Sequence, residues 1–160
     1  MQTIEYRTHD KTGWGDGPWQ SEPDKKQWLD QETGLPCLIV RGPAGSLCGY
    51  VGVPQEHWAH GKVYDDINVD DVHGGLTFAR GCSHGPENIG ICHKVEPGEP
   101  DDVWWLGFDC GHYLDFNPGC SEGFSRYQGE EYRTLAYVEQ ECMKLARQLA
   151  ELHKPFTETK

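Results

Sequence analysis

The chain has 160 residues, of which 36% are hydrophobic and 11% aromatic, and its 26 Asp and Glu against 14 Lys and Arg leave a formal charge of −12. That length suits one domain, and 6 Trp, 7 Tyr and 5 Phe exclude a disordered polyampholyte. The acidic balance disfavours nucleic acid and anionic membranes as partners, and no run of about 18 apolar residues offers a membrane span.

The first twenty residues hold Glu5, Arg7, Asp10, Lys11 and Asp16 with no apolar stretch, so no signal peptide is read and a cytoplasmic location is expected. Residues 1–27, with Trp14-Gly-Asp-Gly-Pro-Trp19, form an irregular arm that its tryptophans dock onto the core. Residues 28–154 make a single domain, and 155–160 a short tail. Lys26–Asp30, the turn Gln31–Gly34 and Leu35–Val40 predict a hairpin into a buried strand. A turn at Gly42–Gly45 leads to a third strand, Leu47–Val53, whose glycines permit a close neighbour. After a polar and aromatic loop (54–71), Val72–Phe78 predicts another strand, and residues 80–102 are mostly loop. Val103–Cys110 is the most apolar segment and predicts a strand buried on both faces.

Beyond Pro118 and a Gly-rich loop comes one strong helix, about Glu130 to His153. Leu135, Val138, Cys142, Leu145 and Leu149 form its apolar stripe, Glu130 and Glu131 suit its first turn, and Pro155 stops it. The expected fold is α+β: a mostly antiparallel sheet with one long C-terminal amphipathic helix packed on it and extended loops. Seven cysteines, an odd number without a C-x-x-C, predict free thiols rather than a disulfide framework.

Chemistry-bearing residues gather at strand ends. His73 precedes Gly74 and Gly75, a pair that frees backbone N–H groups for a ligand, with Thr77 close behind. Asp109, Cys110, His112 and Asp115 fall within seven residues at the end of the apolar strand. A binding pocket asks least of them: the glycines supply donors, Trp105, Phe108 or Tyr113 supply stacking, and Arg41 or Arg80 a charge for an anion. A metal site, with zinc as the cofactor, would draw on His73, His93, Cys110, His112 or Asp115. A thiol nucleophile would be Cys110, with His73 or His112 as base and Asp115 or Asp109 as orienter. Either of the last two would make a small hydrolase. The acidic surface alone would suit an inhibitor that binds a basic host enzyme.

The stretches Leu35-Pro-Cys-Leu, Cys48-Gly-Tyr-Val51, Val72-His-Gly-Gly-Leu-Thr77, Ile91-Cys-His93 and Trp105-Leu-Gly-Phe-Asp-Cys110 with His112 and Asp115, then Tyr132-Arg133 through Tyr137-Val138 to Glu141-Cys142, occur in this order. In that order the chain resembles a family of small uncharacterised proteins of bacteriophages and prophages, over roughly residues 28–150. The resemblance implies a phage accessory role in a bacterial host's cytoplasm, such as counter-defence by sequestering a nucleotide. It makes a small nucleotide-like ligand the expected partner, held by His73, Gly74, Gly75, Thr77, Trp105, Phe108, Asp109, Cys110, His112 and Asp115.

Overall fold

The structure, a computed structural model, describes residues 1–69, 71–120 and 129–152. Six strands form one antiparallel sheet: β1 (Ile4–Tyr6), β2 (Lys25–Leu29), β3 (Pro36–Arg41), β4 (Leu47–Val53), β5 (Phe78–Gly81) and β6 (Trp104–Asp109). Their spatial order is β1-β2-β3-β4-β6-β5. One helix, α1 (Leu135–Glu151), packs across β3 and β4. The architecture is the expected α+β fold.

Alternation along the strands sorts the core. Cys37 and Ile39 of β3, Leu47, Val51 and Val53 of β4, and Leu106 and Phe108 of β6 meet the helix side chains Val138, Cys142, Leu145, Ala146 and Leu149. Gly49 sits in this layer because a Cβ there would come within 2.4 Å of Phe108 Cζ and 2.8 Å of Cys142 Sγ. The glycine thus admits both the aromatic ring and the helix. On the opposite face Leu38, Tyr50, Val103 and Trp105 make a smaller cluster.

Four expectations change. Val72–Thr77 is a turn rather than a strand, since Gly74 (φ 68°) and Gly75 (φ 81°) adopt left-handed conformations that no ladder accommodates, and β5 begins only at Phe78. The arm is not wholly irregular, because β1 pairs with β2 and β2 begins at Lys25, while Trp19 packs on Phe116 and Tyr132. The helix starts at Leu135, not Glu130. Thr134 is its N-cap, accepting from Tyr137 N at 3.1 Å, and the acid at its N-terminus is Glu22 of the arm, whose Oε2 accepts from Leu135 N at 2.8 Å. Glu131 is drawn instead into a bridge with Asp115. Finally, Cys82 and Cys92 form a disulfide, while Cys37, Cys48, Cys110, Cys120 and Cys142 are free. The Gly-rich stretch 121–128, His153 and the 155–160 tail lie outside the described residues.

Arg41 fastens the arm to the start of the helix. Its buried guanidinium donates to Asp24 Oδ1 (2.7 Å), Gly45 O (2.8 Å) and the Tyr132 hydroxyl (2.8 Å), and Lys11 Nζ also reaches Asp24 Oδ1 at 2.8 Å. Burial works to raise the Asp24 pKa, yet Lys11, the N–H groups of His9 and Thr8, and Arg41 together lower it to about 2. Arg41 Nη2 reaches Pro23 O at 3.1 Å and Glu22 Oε1 at 3.4 Å, so all five donors are committed within the fold.

Candidate functional site

The turn 72–77, the segment that follows β6 and the first turns of α1 converge at one end of the sheet. His73 is gripped at both ring nitrogens: Nδ1 lies 2.8 Å from the Tyr137 hydroxyl and Nε2 lies 2.8 Å from Asp115 Oδ2. Its backbone N–H donates to Glu141 Oε1 at 2.8 Å. Asp115 is the hub of this cluster. Its Oδ1 accepts from Arg133 Nε at 3.0 Å, and its Oδ2 also accepts from the His112 N–H at 3.0 Å. Burial would raise the Asp115 pKa, but the hydrogen bonds from His73, Arg133 and His112 outweigh it and hold the carboxyl below the ordinary range. Burial and the nearby Glu141 push the Tyr137 phenol up, so it is protonated at neutral pH. Tyr137, His73 and Asp115 thus form a continuous chain from a phenol through an imidazole to a carboxylate. Such a chain fixes the ring and its tautomer and can pass a proton.

The rim of this cluster is more open. Asp109 ends β6, where its Oδ2 accepts from Thr77 Oγ1 and its Oδ1 from Gly111 N, each at 3.0 Å. His112 Nε2 lies 3.4 Å from Asp109 Oδ1 but makes no aligned hydrogen bond, and it is covered by the turn at Gly74. A Cβ on Gly74 would fall 2.3 Å from that nitrogen, so both φ and packing demand glycine there. Next in sequence, Tyr113 is 92% exposed and Leu114 has φ 72°, the one positive φ among the described non-glycine residues. A bulky residue in that conformation is strained, and such strain persists where the surroundings over-determine the backbone.

Of the residues singled out from the sequence, the structure brings His73, Gly74, Gly75, Thr77, Asp109, His112 and Asp115 together. Trp105 and Phe108 are placed elsewhere, and Cys110 is buried beside the cluster. Trp105 is fully buried on the far face against His93, with ring centroids 5.1 Å apart. Phe108 is enclosed between β4 and the helix, so neither aromatic can stack on a ligand. The Cys110 thiol is buried and its pKa is raised by that burial and by the carboxylate of Asp115, which leaves it a poor nucleophile. Arg41 is consumed by the arm, and Arg80 stands over the Phe78 ring on β5. No group of three or more His, Cys, Asp and Glu among the described residues is arranged to hold a metal ion.

Sequence reasoning missed Arg133, Tyr137 and Glu141 as members of the site. A signal existed. Tyr137, Glu141 and Lys144 recur at steps of four and three along the helix, flanking its apolar stripe, and a carboxylate beside such a stripe needs a partner. Glu141 is buried and pairs with Lys144 at 2.9 Å. No family model, curated protein or solved structure matches the chain.

Proposed function

We propose that the chain is a bacteriophage accessory protein that binds a small nucleotide-like ligand at the end of the sheet, holding it by its base. The observation that carries this reading is Tyr113: an aromatic ring standing in water on a strained turn, flanked by the anchored His112 and Asp115. Stacking on such a ring suits any base, because every base has a π-face. Asp109 and Thr77 on the rim offer a carboxylate and a hydroxyl to the polar edge of a heterocycle, and the locked His73–Asp115 pair gives the rim a rigid floor. Among the described residues the free cations that a phosphate would need are scarce at this site, since Arg133 is engaged by Asp115 and Glu131. Recognition therefore centres on the base rather than the phosphates. A Cys110-dependent hydrolase loses its support with the burial of the thiol.

The test is a thermal-shift and calorimetric screen of the purified chain against nucleosides and nucleotides, followed by Tyr113→Ala and Asp109→Asn. Tyr113 is exposed, so its removal leaves the fold intact and should weaken binding about 10- to 100-fold, the usual worth of one stacked base. A panel without a binder, or a binder indifferent to both substitutions, would overturn the proposal.

A further inference from the structure

A second set of reactive side chains lies on the other face of the sheet, remote from the His73 cluster. Cys82, His84, Cys92 and His93 line one cleft between the 82–95 loop and β2, together with Lys25 and Asp101. His93 packs edge-on against Trp105, its Nδ1 lies 3.0 Å from Met1 Sδ, and its Nε2 is buried without a hydrogen-bond partner. His93 Nε2 shares that state with Trp105 Nε1 and His112 Nε2, and of the two imidazoles His93 alone lies in a cleft lined by two cysteines.

The loop also needs a fastener. Residues 83–89 are exposed and bury no apolar side chain, so they are held down by the Cys82–Cys92 bond, by Lys25 and by the Tyr6 hydroxyl, which donates to Glu87 Oε2 at 2.8 Å. Lys25 Nζ donates to Glu87 O at 2.5 Å and Gly90 O at 2.7 Å, both inside the disulfide loop. Small loop-rich segments without a core of their own are commonly closed by a disulfide or by a structural metal. This loop carries the residues for either.

We propose that the reduced chain binds one zinc ion through Cys82, His84, Cys92 and His93, and that the Cys82–Cys92 disulfide is the oxidised, metal-free form of the same site. Two thiolates and two imidazoles are a donor set that zinc takes in closed tetrahedral sites. The spacing is local, Cys82-x-His84 on one arm of the loop and Cys92-His93 on the other, and the disulfide already brings the two sulfurs to one point. In the oxidised form, which this structure shows, the sulfurs are bonded to each other and offer the metal nothing, and no three donors among the described residues are arranged for an ion; the site exists only once reduction frees both thiols.

The chemistry balances. A dithiol attacks the disulfide, one cysteine leaves as a thiol after a mixed disulfide, and the second exchange frees the other while the reductant closes its own disulfide. Zinc then displaces one proton from each thiol, so that metal binding releases two protons. Of the residues that the sequence offers for zinc, His73, His93, Cys110, His112 and Asp115, this reading keeps His93 alone and joins it to Cys82, His84 and Cys92.

The experiment uses the full chain, reduced without denaturant by a phosphine, which takes oxygen from water to become the phosphine oxide and does not compete for the metal. Native mass spectrometry after addition of zinc and removal of the excess should show one zinc per chain, less two protons. The oxidised chain should show none. Competition with a chromophoric chelator should then show at least about tenfold weaker zinc binding in Cys82→Ser and in His84→Ala. His84 is exposed, so the second variant folds whatever happens to the first. A reduced chain without zinc, a disulfide that resists native reduction, or zinc held equally well by both variants would overturn the proposal.

Discussion

The two faces of the sheet are covered in opposite ways. Residues of β2 that point towards the helix, Lys26 and Trp28, meet a helix side chain and the apolar core: Lys26 pairs with Glu139, and Trp28 packs against the main cluster. Their neighbours Lys25 and Gln27 point to the other face, are fully buried, and bind main chain. Lys25 takes the carbonyls of Glu87 and Gly90, while Gln27 donates to Lys94 O and accepts from Lys94 N at 2.9 and 2.7 Å. One face is thus sealed by shape and the other by hydrogen bonds to a loop. The difference teaches that buried polar side chains can stand in for a second layer of secondary structure, provided every donor finds a carbonyl.

Three substitutions would sharpen or break this contrast. Leu145→Ala on the helix face should cost most, about 2–5 kcal/mol, because it opens a cavity in a fully buried cluster; urea unfolding would measure it, and a loss under 1 kcal/mol would mean that the helix is loosely packed. Lys25→Met on the loop face should cost about 1–3 kcal/mol at neutral pH by leaving two carbonyls unpaired. It also carries a pH signature. Burial lowers the Lys25 pKa from 10.5 to about 8, so between those values the unfolded chain binds more protons than the folded one, and this group's contribution to stability rises with pH. Unfolding curves across that window should rise in the parent relative to the Met variant; parallel curves would refute the buried ammonium. Thr134→Ala should have the smallest effect, about 1 kcal/mol, because Glu22 still caps the helix from the arm. A thermal melt of the variant beside Glu22→Gln would show which carries more of the cap.

The contrast also explains what was legible in the sequence. The helix stripe, the β2–β3 hairpin, β4 and β6 all follow from apolar periodicity, which reports burial against another regular element. The 82–95 loop left no such trace, because what holds it is a set of carbonyls whose positions depend on the folded backbone. The candidate site divides along the same line. His73, Asp109, His112 and Asp115 stood out because titratable groups clustered locally. Arg133, Tyr137 and Glu141 did not, since each reaches the cluster from a distant segment. Trp105 and Phe108 were mistaken for ligand contacts because strand alternation assigns a side to each residue but does not tell whether that side is open.

Glu22 touches Arg41 and Tyr132 through one oxygen and the first amide of the helix through the other, joining residues 113 positions apart in the chain. Closing so long a loop costs more conformational entropy than closing any of the hairpins, so the central meander can assemble while this junction is still open. The arm is then the latch of the fold rather than its ornament, tying the start of the helix to the end of β3 through one carboxylate.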